Sequence, residues 1–234
     1  MRIGVVQFPG SNDERDAVWA LGQLGADAEL LWHGDADLRG VDAVVLPGGF
    51  SYGDYLRCGA IARFSPVMGS VVSFANDGGM VLGICNGFQV LCEAGLLPGA
   101  LVRNAGLSFV CEPVHVLVES ADGPFLSRAE VGDVLTIPIK HGEGRYVADA
   151  ATLAVMEERG QIALRYATSD GEAVSEANPN GATDNIAGIS NEGGNVFGLM
   201  PHPEHAVDPE AGIRSADGAV ILGSLIDAVV GADA

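Results

Sequence analysis

The sequence predicts an α/β fold with a central, mostly parallel sheet and helices on both faces. Three observations support this prediction. Short apolar runs alternate with helix-like segments over the first half of the chain. Gly, Pro, Asn or Asp residues close most of these runs, as expected where buried strands meet loops. Hydrophobic residues make up 48% of the 234 residues and charged residues only 18%, which is typical of a globular chain with a large core.

The elements follow one another along the chain as strand, helix and strand. Predicted strands of the first half cover residues 3–8, 27–32, 41–46 and 80–85. Predicted helices cover residues 12–24, 66–76 and 88–96, and the first has a capping residue and early acidic residues. Strands joined by helices pair in parallel through right-handed crossovers, which place helices on both faces of the sheet.

The pattern changes after about residue 105. Strand-like runs separated by turn residues predict an additional antiparallel or mixed region, at residues 111–118, 134–139, 161–166, 186–190 and 196–199. Residues 216–230 predict a closing helix. Since the sequence has no repeat or linker, we expect a single flavodoxin-like three-layer domain over residues 1–234.

The charge limits the classes of partner. There are 31 acidic and 12 basic residues, the net charge is −19, and Lys140 is the only lysine. Such a field repels nucleic acid and anionic membrane surfaces, so neither is an expected partner. The acidic surface and scarcity of lysine favour a cytoplasm with high salt over an ordinary acidic mesophilic protein.

Location and metal binding follow from two further patterns. The first residues, MRIGVVQF, are typical of a strand rather than a signal peptide, and no apolar stretch approaches about 20 residues. The cysteines lack C-x-x-C or zinc-ligand spacing, so no metal site is predicted. We therefore expect a soluble, reduced, cytoplasmic protein.

A candidate nucleophile lies in the segment GICNG, where a predicted strand meets a predicted helix. This G-x-C-x-G pattern is the thiol counterpart of the G-x-S-x-G elbow, in which flanking glycines avoid collisions around a strained turn. A helix N-terminus also favours the thiolate. The alternative is a buried cysteine that merely ends a core strand. Cys85 is the preferred nucleophile, while Cys58, Cys92 and Cys111 are assigned to packing.

A thiolate nucleophile needs a histidine base, and that base needs an orienting partner. Of the five histidines, His202 follows an apolar strand in GLMPHPEH, whereas His33 is interpreted as a turn residue. Pro203 disfavours helix at His202, and in an extended segment the side chain of Glu204 lies on the same side as His202. Glu204 is therefore the candidate partner of the imidazole.

A glycine turn supplies the third element. The run VVLPGGF ends a buried strand at Gly48 and Gly49, where backbone N–H groups are free to point at one spot. Together with the N–H of Asn86 these groups predict an oxyanion hole. The alternative is an ordinary turn. No G-x-x-x-x-G-K-[ST] segment occurs, which disfavours an ATP site of that type on this chain.

Taken together, the segments PGGFSYGDYLR, GICNGFQVL, KHGEGRY, NPNGATDNIAGI and GNVFGLMPHPE resemble the class I, triad-type glutamine amidotransferases. The resemblance implies a Cys85, His202 and Glu204 triad that hydrolyses L-glutamine, with Gln89 contacting the substrate. It implies that the loop beginning at His141 either holds the amino-acid end of glutamine or touches a partner. Two positions differ from the family pattern, since His205 stands where Arg is usual and Ala182 where Ser is usual.

The similarity is greatest to glutaminase subunits that serve purine biosynthesis. It implies no cofactor on this chain and a separate synthetase subunit that uses ATP and Mg²⁺, with a small third subunit bridging the two. Two other functions stay open from the residues alone. One is a stand-alone cysteine hydrolase or peptidase on a flavodoxin-like sheet, and the other is an interaction subunit whose cysteine is vestigial.

Overall fold

Strands and helices alternate through the first half of the molecule, as the sequence predicts. The computed structural model describes residues 1–232. The elements of this half are β1 (Arg2–Gln7), α1 (Glu14–Gln23), β2 (Asp27–Trp32), β3 (Ala43–Leu46), α2 (Pro66–Asn76), β4 (Met80–Ile84) and α3 (Asn86–Glu93). The bounds of β2 and α2 match the prediction at both ends. Helix α3 begins directly after Cys85, two residues earlier than predicted.

The second half contains the predicted strands and three elements that the sequence reading missed. Its elements are β5 (Ala100–Val102), β6 (Val110–Val118), β7 (Val134–His141), β8 (Arg145–Val147), α4 (Ala150–Glu158), β9 (Ile162–Ala167), β10 (Ile186–Ser190), β11 (Val196–Leu199) and α5 (Gly218–Ala232). The missed elements are the short antiparallel pair β5–β8 and helix α4. Asp149 caps α4 through a hydrogen bond from Thr152 N–H, but only Met156 of that helix is buried, so its apolar periodicity is weak.

Within residues 1–232 the main sheet has nine strands in the order β2-β1-β3-β4-β11-β10-β9-β6-β7. The first five pair in parallel. The remaining pairs are antiparallel, so the predicted additional antiparallel region is an extension of the same sheet. The predicted fold class is confirmed.

The sheet order fixes where a site can form. The chain moves from β1 outward to β2 and then returns to β3 and β4 on the other side of β1. Right-handed crossovers in these opposite directions place α1 and α2 on opposite faces, and ligands of such folds bind where the direction reverses, beyond the carboxyl ends of the strands. The loops after β1, β3, β4 and β11 therefore meet at one edge.

The core explains why the central strands are continuous apolar runs. Every residue of β3 and of β11 is buried, because helices cover both faces of these strands. Stacked aromatic pairs, Phe88 with Tyr146 and Phe125 with Phe197, extend the core around them. No helix among the described residues has the length and apolarity to cross a membrane. Residues 233 and 234 of the expected domain lie outside the described part.

Candidate active site

Cys85 lies on a strained turn between β4 and α3. Its φ is +49°, in the left-handed region that disfavours side chains other than glycine. A Cβ added to Gly83 would lie 2.8 Å from the backbone of Gly87, and one added to Gly87 would collide with the carbonyl oxygen of Leu46. The two glycines therefore allow the close packing that an elbow requires, which is the physical reason given for the G-x-C-x-G pattern.

His202 and Glu204 form a buried pair after β11. The imidazole is fully buried, and its Nδ1 lies 2.6 Å from Oε1 of Glu204. The segment is not wholly extended as expected, because Pro203–His205 form a short 3-10 helix. Proline is tolerated at the first position of such a turn, where its missing N–H leaves no bond unmade. The predicted contact is nevertheless present.

The other ring nitrogen of His202 is free to take a proton. Nε2 is buried and has no hydrogen-bond partner among residues 1–232. Burial disfavours the charged ring, but the negative charges of Glu204 and of the Cys85 sulfur outweigh it and raise the pKa of His202. The imidazole therefore lies within electrostatic reach of the thiol and is disposed to hold a proton.

The predicted oxyanion groups lie in two different places. Gly49 has a φ of +140° and lines the same cavity as Cys85. Asn86 is the first residue of α3, so its N–H has no acceptor within the helix. Gly48, in contrast, packs under the imidazole, since a Cβ there would lie 2.6 Å from Cε1 of His202. Gly48 thus contacts the candidate base rather than the cavity wall.

A cavity of about 230 Å³ opens in front of Cys85. Gln89 and His141, which the resemblance associates with contacts to glutamine or to a partner, both line it. The Gln89 amide donates to the carbonyl of Glu143 at 2.6 Å and accepts from the Asn86 amide at 2.8 Å, which fixes its orientation. Burial, with the charge of His202, lowers the pKa of His141 to about 4, so this ring is neutral at pH 7.

Two asparagines that the sequence reading did not select hold the loop after β7. Asn104 donates to the carbonyl of His141 at 2.9 Å and accepts from Gly144 N–H at 2.9 Å. Asn180 donates to the carbonyl of Gly144 at 2.9 Å. Both side chains are almost fully buried. Asn180 lies within the NPNGATDN segment that carries part of the resemblance, whereas no local signal marks Asn104.

Charged groups also missed by the sequence reading surround the cavity. Asp54, Arg103 and Glu143 line it, and Arg103 lies 3.4 Å from Glu143. The pKa of Asp54 is raised, mainly because the carboxyl is buried and also because of the charge of Glu143. A hydrogen bond from Cys58 acts in the opposite direction but does not cancel the rise. The cavity can therefore bind an ammonium group through its carboxylates and a carboxylate group through Arg103.

Two cysteine assignments need correction. Cys58 is buried but also lines the cavity, and its thiol donates to Glu143 at 3.2 Å, so packing is not its only contact. Burial and the nearby acidic groups raise its pKa, which disfavours a second thiolate there. Cys111 is exposed at the surface, not packed in the core. It lies near the start of β6, where the side of the strand that it occupies is open to solvent.

A second cluster of polar groups lies on the Nδ1 side of His202. Four side chains here have potential metal-ligand atoms that lie within 4.8 Å of one another. They are those of Asp13, His202, Glu204 and His205. The ammonium of Lys140 lies among them and contacts both Asp13 and His205. Because the lysine supplies the positive charge that the carboxylates need, we interpret the cluster as an ion-pair network.

Comparisons with known proteins agree on the family. The model of the CobB/CobQ-like glutamine amidotransferase domain matches residues 1–218. The chain is 55% identical to phosphoribosylformylglycinamidine synthase subunit PurQ of Koribacter versatilis, over 98% of this chain and 99% of that one. It is 58% identical to the subunit of the same name from Rubrobacter xylanophilus, over 97% and 98%. Its fold resembles a chain in the structure of PurLQS from Thermotoga maritima, with a TM-score of 0.85, 41% identity and 97% of each chain covered.

Proposed function

This chain belongs to the family of CobB/CobQ-like glutamine amidotransferase domains, and from that premise we propose that it is the glutaminase subunit of a phosphoribosylformylglycinamidine synthase. It hydrolyses glutamine to glutamate and ammonia. A separate ATP-dependent synthetase subunit uses the ammonia to convert formylglycinamide ribonucleotide to formylglycinamidine ribonucleotide in purine biosynthesis. The observation that carries the proposal is a cysteine on a strained elbow beside a buried His–Glu pair, in a chain similar to such subunits over nearly its whole length.

The first half of the reaction forms a thioester. Nε2 of His202 takes the proton of the Cys85 thiol, and the sulfur attacks the side-chain carbonyl carbon of glutamine. Glu204 accepts from Nδ1–H and stabilises the imidazolium, as the orienting carboxylate does in a triad. The N–H groups of Gly49 and Asn86 stabilise the oxyanion. Collapse of the tetrahedral intermediate breaks the C–N bond, and His202 returns the proton to the departing ammonia.

The second half releases glutamate. A water molecule attacks the thioester carbon while Nε2 of His202 takes a proton from the water. Collapse of the second tetrahedral intermediate breaks the C–S bond and returns the proton to the sulfur of Cys85. The free thiol is regenerated, and the chain needs no cofactor of its own for either half. ATP and Mg²⁺ act on the synthetase subunit.

The cavity supports an amino-acid substrate. We assign the loop after β7 to substrate binding, because His141 and Glu143 line the cavity that contains Cys85. The α-ammonium of glutamine is a suitable partner for Glu143 and Asp54, and its α-carboxylate is a suitable partner for Arg103. Gln89, held in place by Asn86, lies in the same wall.

The mouth of the cavity supports a protein partner. Phe50, Leu107 and Phe109 line the cavity and are 42%, 80% and 54% exposed. Large apolar side chains grouped around an opening are typical of an interface. The synthetase subunit that covers this opening keeps ammonia away from solvent. A small third subunit bridging the two chains completes the proposed complex. The complex works in the cytoplasm. This chain contributes to it a single domain that spans residues 1–234.

Covalent labelling tests the proposal. A diazo-ketone analogue of glutamine should modify Cys85 in the full chain, and mass spectrometry of the peptides identifies the site. In the reconstituted complex, Cys85→Ala should abolish glutamine-dependent synthesis and leave ammonia-dependent synthesis intact. Cys111→Ala, which changes an exposed cysteine, is the matched control and should preserve both. An adduct on another residue, or full glutaminase turnover without any partner, would favour a stand-alone hydrolase instead.

A further inference from the structure

Asp13 immediately precedes helix α1, at the N-cap position, but its carboxylate does not cap that helix. An N-cap aspartate usually accepts a hydrogen bond from an N–H of the first turn and contributes about 1 kcal/mol to stability. Asp13 makes no such bond to α1. Its side chain is almost fully buried and contacts the residues behind His202 instead. The usual role of an N-cap carboxylate is therefore replaced by a contact at the active site.

Lys140 holds one oxygen of this carboxylate, and His205 holds Lys140 in turn. Lys140 Nζ donates to Oδ1 of Asp13 and lies 2.9 Å from Nε2 of His205. Nε2 of His205 is itself 3.3 Å from the same oxygen. An ammonium can only donate, so Nε2 of His205 accepts from Lys140 and the ring carries its proton on Nδ1. Oδ1 is thus fixed, and Oδ2 is left for the imidazole of His202.

The second oxygen lies against His202. Asp13 Oδ2 is 3.7 Å from Nδ1, the nitrogen that Glu204 contacts at 2.6 Å. Gly48 permits this approach, because a Cβ at that position would collide with Oδ2 and lie 2.6 Å from Cε1 of His202. The backbone supports the same arrangement, since the N–H of Asp13 donates to the carbonyl of Gly48 at 3.3 Å. The imidazole therefore has two carboxylates near its Nδ1 atom.

We propose that Asp13 is a positioning residue for the glutaminase reaction, whose carboxylate, held by Lys140, steadies the Nδ1 side of His202 and stabilises its imidazolium form. The proposal rests on the proposed function. In the step concerned, the S–H bond of Cys85 breaks and an N–H bond forms at Nε2 of His202. The proton moves between two groups of this chain, so no co-reactant is needed. The positive charge that appears on the ring meets the negative charges of Glu204 and Asp13.

Asp13 and Lys140 act on this proton transfer with opposite signs. The carboxylate of Asp13 favours the imidazolium, and the ammonium of Lys140 opposes it from the same side of the ring. The other charged or titratable groups around Asp13 are Glu204 and His205, from the segment after β11, and Asp16, from α1 itself, 4.0 Å from Nε2 of His205. A residue that only supports the fold would not produce opposite effects for the two charges.

The pH dependence of Cys85 alkylation tests this assignment. Iodoacetamide reacts with the thiolate, and mass spectrometry of the Cys85 peptide separates its reaction from that of exposed Cys111. On the plateau of the profile around neutral pH, the rate depends on how far the proton has moved from Cys85 to His202. Asp13→Asn should lower this plateau about tenfold, because the imidazolium loses about one pKa unit of stabilisation. Lys140→Met should raise the plateau. Asp170→Asn, the same chemical change at an exposed turn position away from the network, should leave the profile unchanged.

Two results would overturn the proposal. One is an Asp13→Asn profile that superimposes on that of the unaltered protein, and the other is a lower plateau in both Asp13→Asn and Lys140→Met. Circular dichroism and thermal unfolding establish that each variant is folded. If Asp13→Asn does not fold, the direction of the plateau change in Lys140→Met decides the matter. Iodoacetamide needs no glutamine recognition, so this experiment and the labelling by a glutamine analogue fail independently.

Discussion

The parallel and antiparallel halves of the sheet contribute different kinds of residue to one site. Cys85 follows β4, Gly49 follows β3, and the His202–Glu204 pair follows β11, all of them at the carboxyl ends of parallel strands. The loop of His141 and Glu143 comes from β7 at the far antiparallel edge. Although β7 is four places from β11 in the sheet, the carbonyl of Pro138 accepts from His202 N–H at 2.8 Å. The sheet therefore curls so that its antiparallel edge covers the parallel strand ends.

Two buried histidines show what this difference means. His202, from the parallel side, has a carboxylate on its Nδ1, and charge raises its pKa against the effect of burial. His141, from the antiparallel side, has the neutral amide of Asn104 at the same nitrogen, and burial lowers its pKa. One ring is arranged to carry a proton and the other to stay neutral. The comparison supports the proposal that the parallel half transfers the proton and the antiparallel half binds the substrate.

The largest expected effect comes from the base of the parallel half. His202→Gln should lower kcat of the glutaminase reaction by about 10⁴-fold, the upper end of what general acid–base catalysis contributes. The KM for glutamine should change little, because the imidazole is fully buried behind Cys85 and is not part of the cavity lining. Steady-state kinetics of the reconstituted complex measure both constants. An altered KM with normal kcat would instead give His202 a role in substrate binding, and the contrast between the two halves of the sheet would not hold.

The arrangement of the candidate side chains in the parallel half was predictable because its signals are local. The Gly residues around Cys85 are two positions away, and His202 and Glu204 are separated by a single proline. Residues so close in sequence have their relative positions set by the local backbone, because an elbow or a short turn constrains its own side chains. The strands β10 and β11 were likewise predicted at both ends, because they are continuous apolar runs bounded by turn residues.

The remainder of the site depends on contacts between distant positions. Lys140 and Asp13 are 127 positions apart, and Asn104 and Gly144 are 40 apart. No periodicity or spacing rule links such pairs. Asp13 falls within the predicted helix of residues 12–24, and no local signal marks its contact with His202. Helix α4 was not predicted for a different reason, since a helix with one buried residue has no clear apolar face.

The next effect tests the oxyanion turn of the parallel half. In Gly49→Ala the new Cβ would lie 2.6 Å from the nitrogen of Asn12, at a φ of +140° that alanine disfavours. The turn must shift, so its N–H should leave the oxyanion position and kcat should fall about 10²–10³-fold with little change in KM. Gly69→Ala is the matched control, because a Cβ at that position in α2 meets open space. Equal kinetics for the two variants would contradict the assignment.

The third effect is a pH dependence of stability due to His141. The pKa is lowered from 6.5 to about 4 in the folded protein, so the unfolded chain binds a proton more readily between these values. The free energy of unfolding should therefore fall as pH decreases through this window, by about 3 kcal/mol at the lower end. His202 contributes with the opposite sign, since its pKa is raised and its stabilisation is lost as pH rises.

Urea unfolding at pH 5 and pH 7 isolates the His141 contribution. The change in unfolding free energy between the two pH values should be smaller in His141→Gln than in the unaltered protein, because glutamine keeps hydrogen-bonding groups but does not titrate. Identical pH dependence in the two proteins would mean that His141 is not held neutral. The contrast between the two histidines would then lose its electrostatic basis.

The smallest effect sharpens the role of the antiparallel edge. Glu143→Gln removes a carboxylate that lines the cavity and is 3.4 Å from Arg103. If that carboxylate pairs with the α-ammonium of glutamine, KM should rise about tenfold, the loss expected for one hydrogen bond to a charged group. The value of kcat should stay the same, because the reacting amide lies at the other end of the substrate. Glu158→Gln, on an exposed position of α4, is the matched control.

Glu143 also accepts hydrogen bonds that support the local structure, so its role in binding has to be judged from KM and kcat together. The thiol of Cys58 donates to its carboxylate, and the amide of Gln89 donates to its backbone carbonyl. Only the first of these depends on the side chain, so glutamine at this position preserves the second and keeps Gln89 oriented. A fall in kcat with unchanged KM would mean that the loop after β7 acts on the reacting groups. The division between a catalytic parallel half and a binding antiparallel half would then not hold.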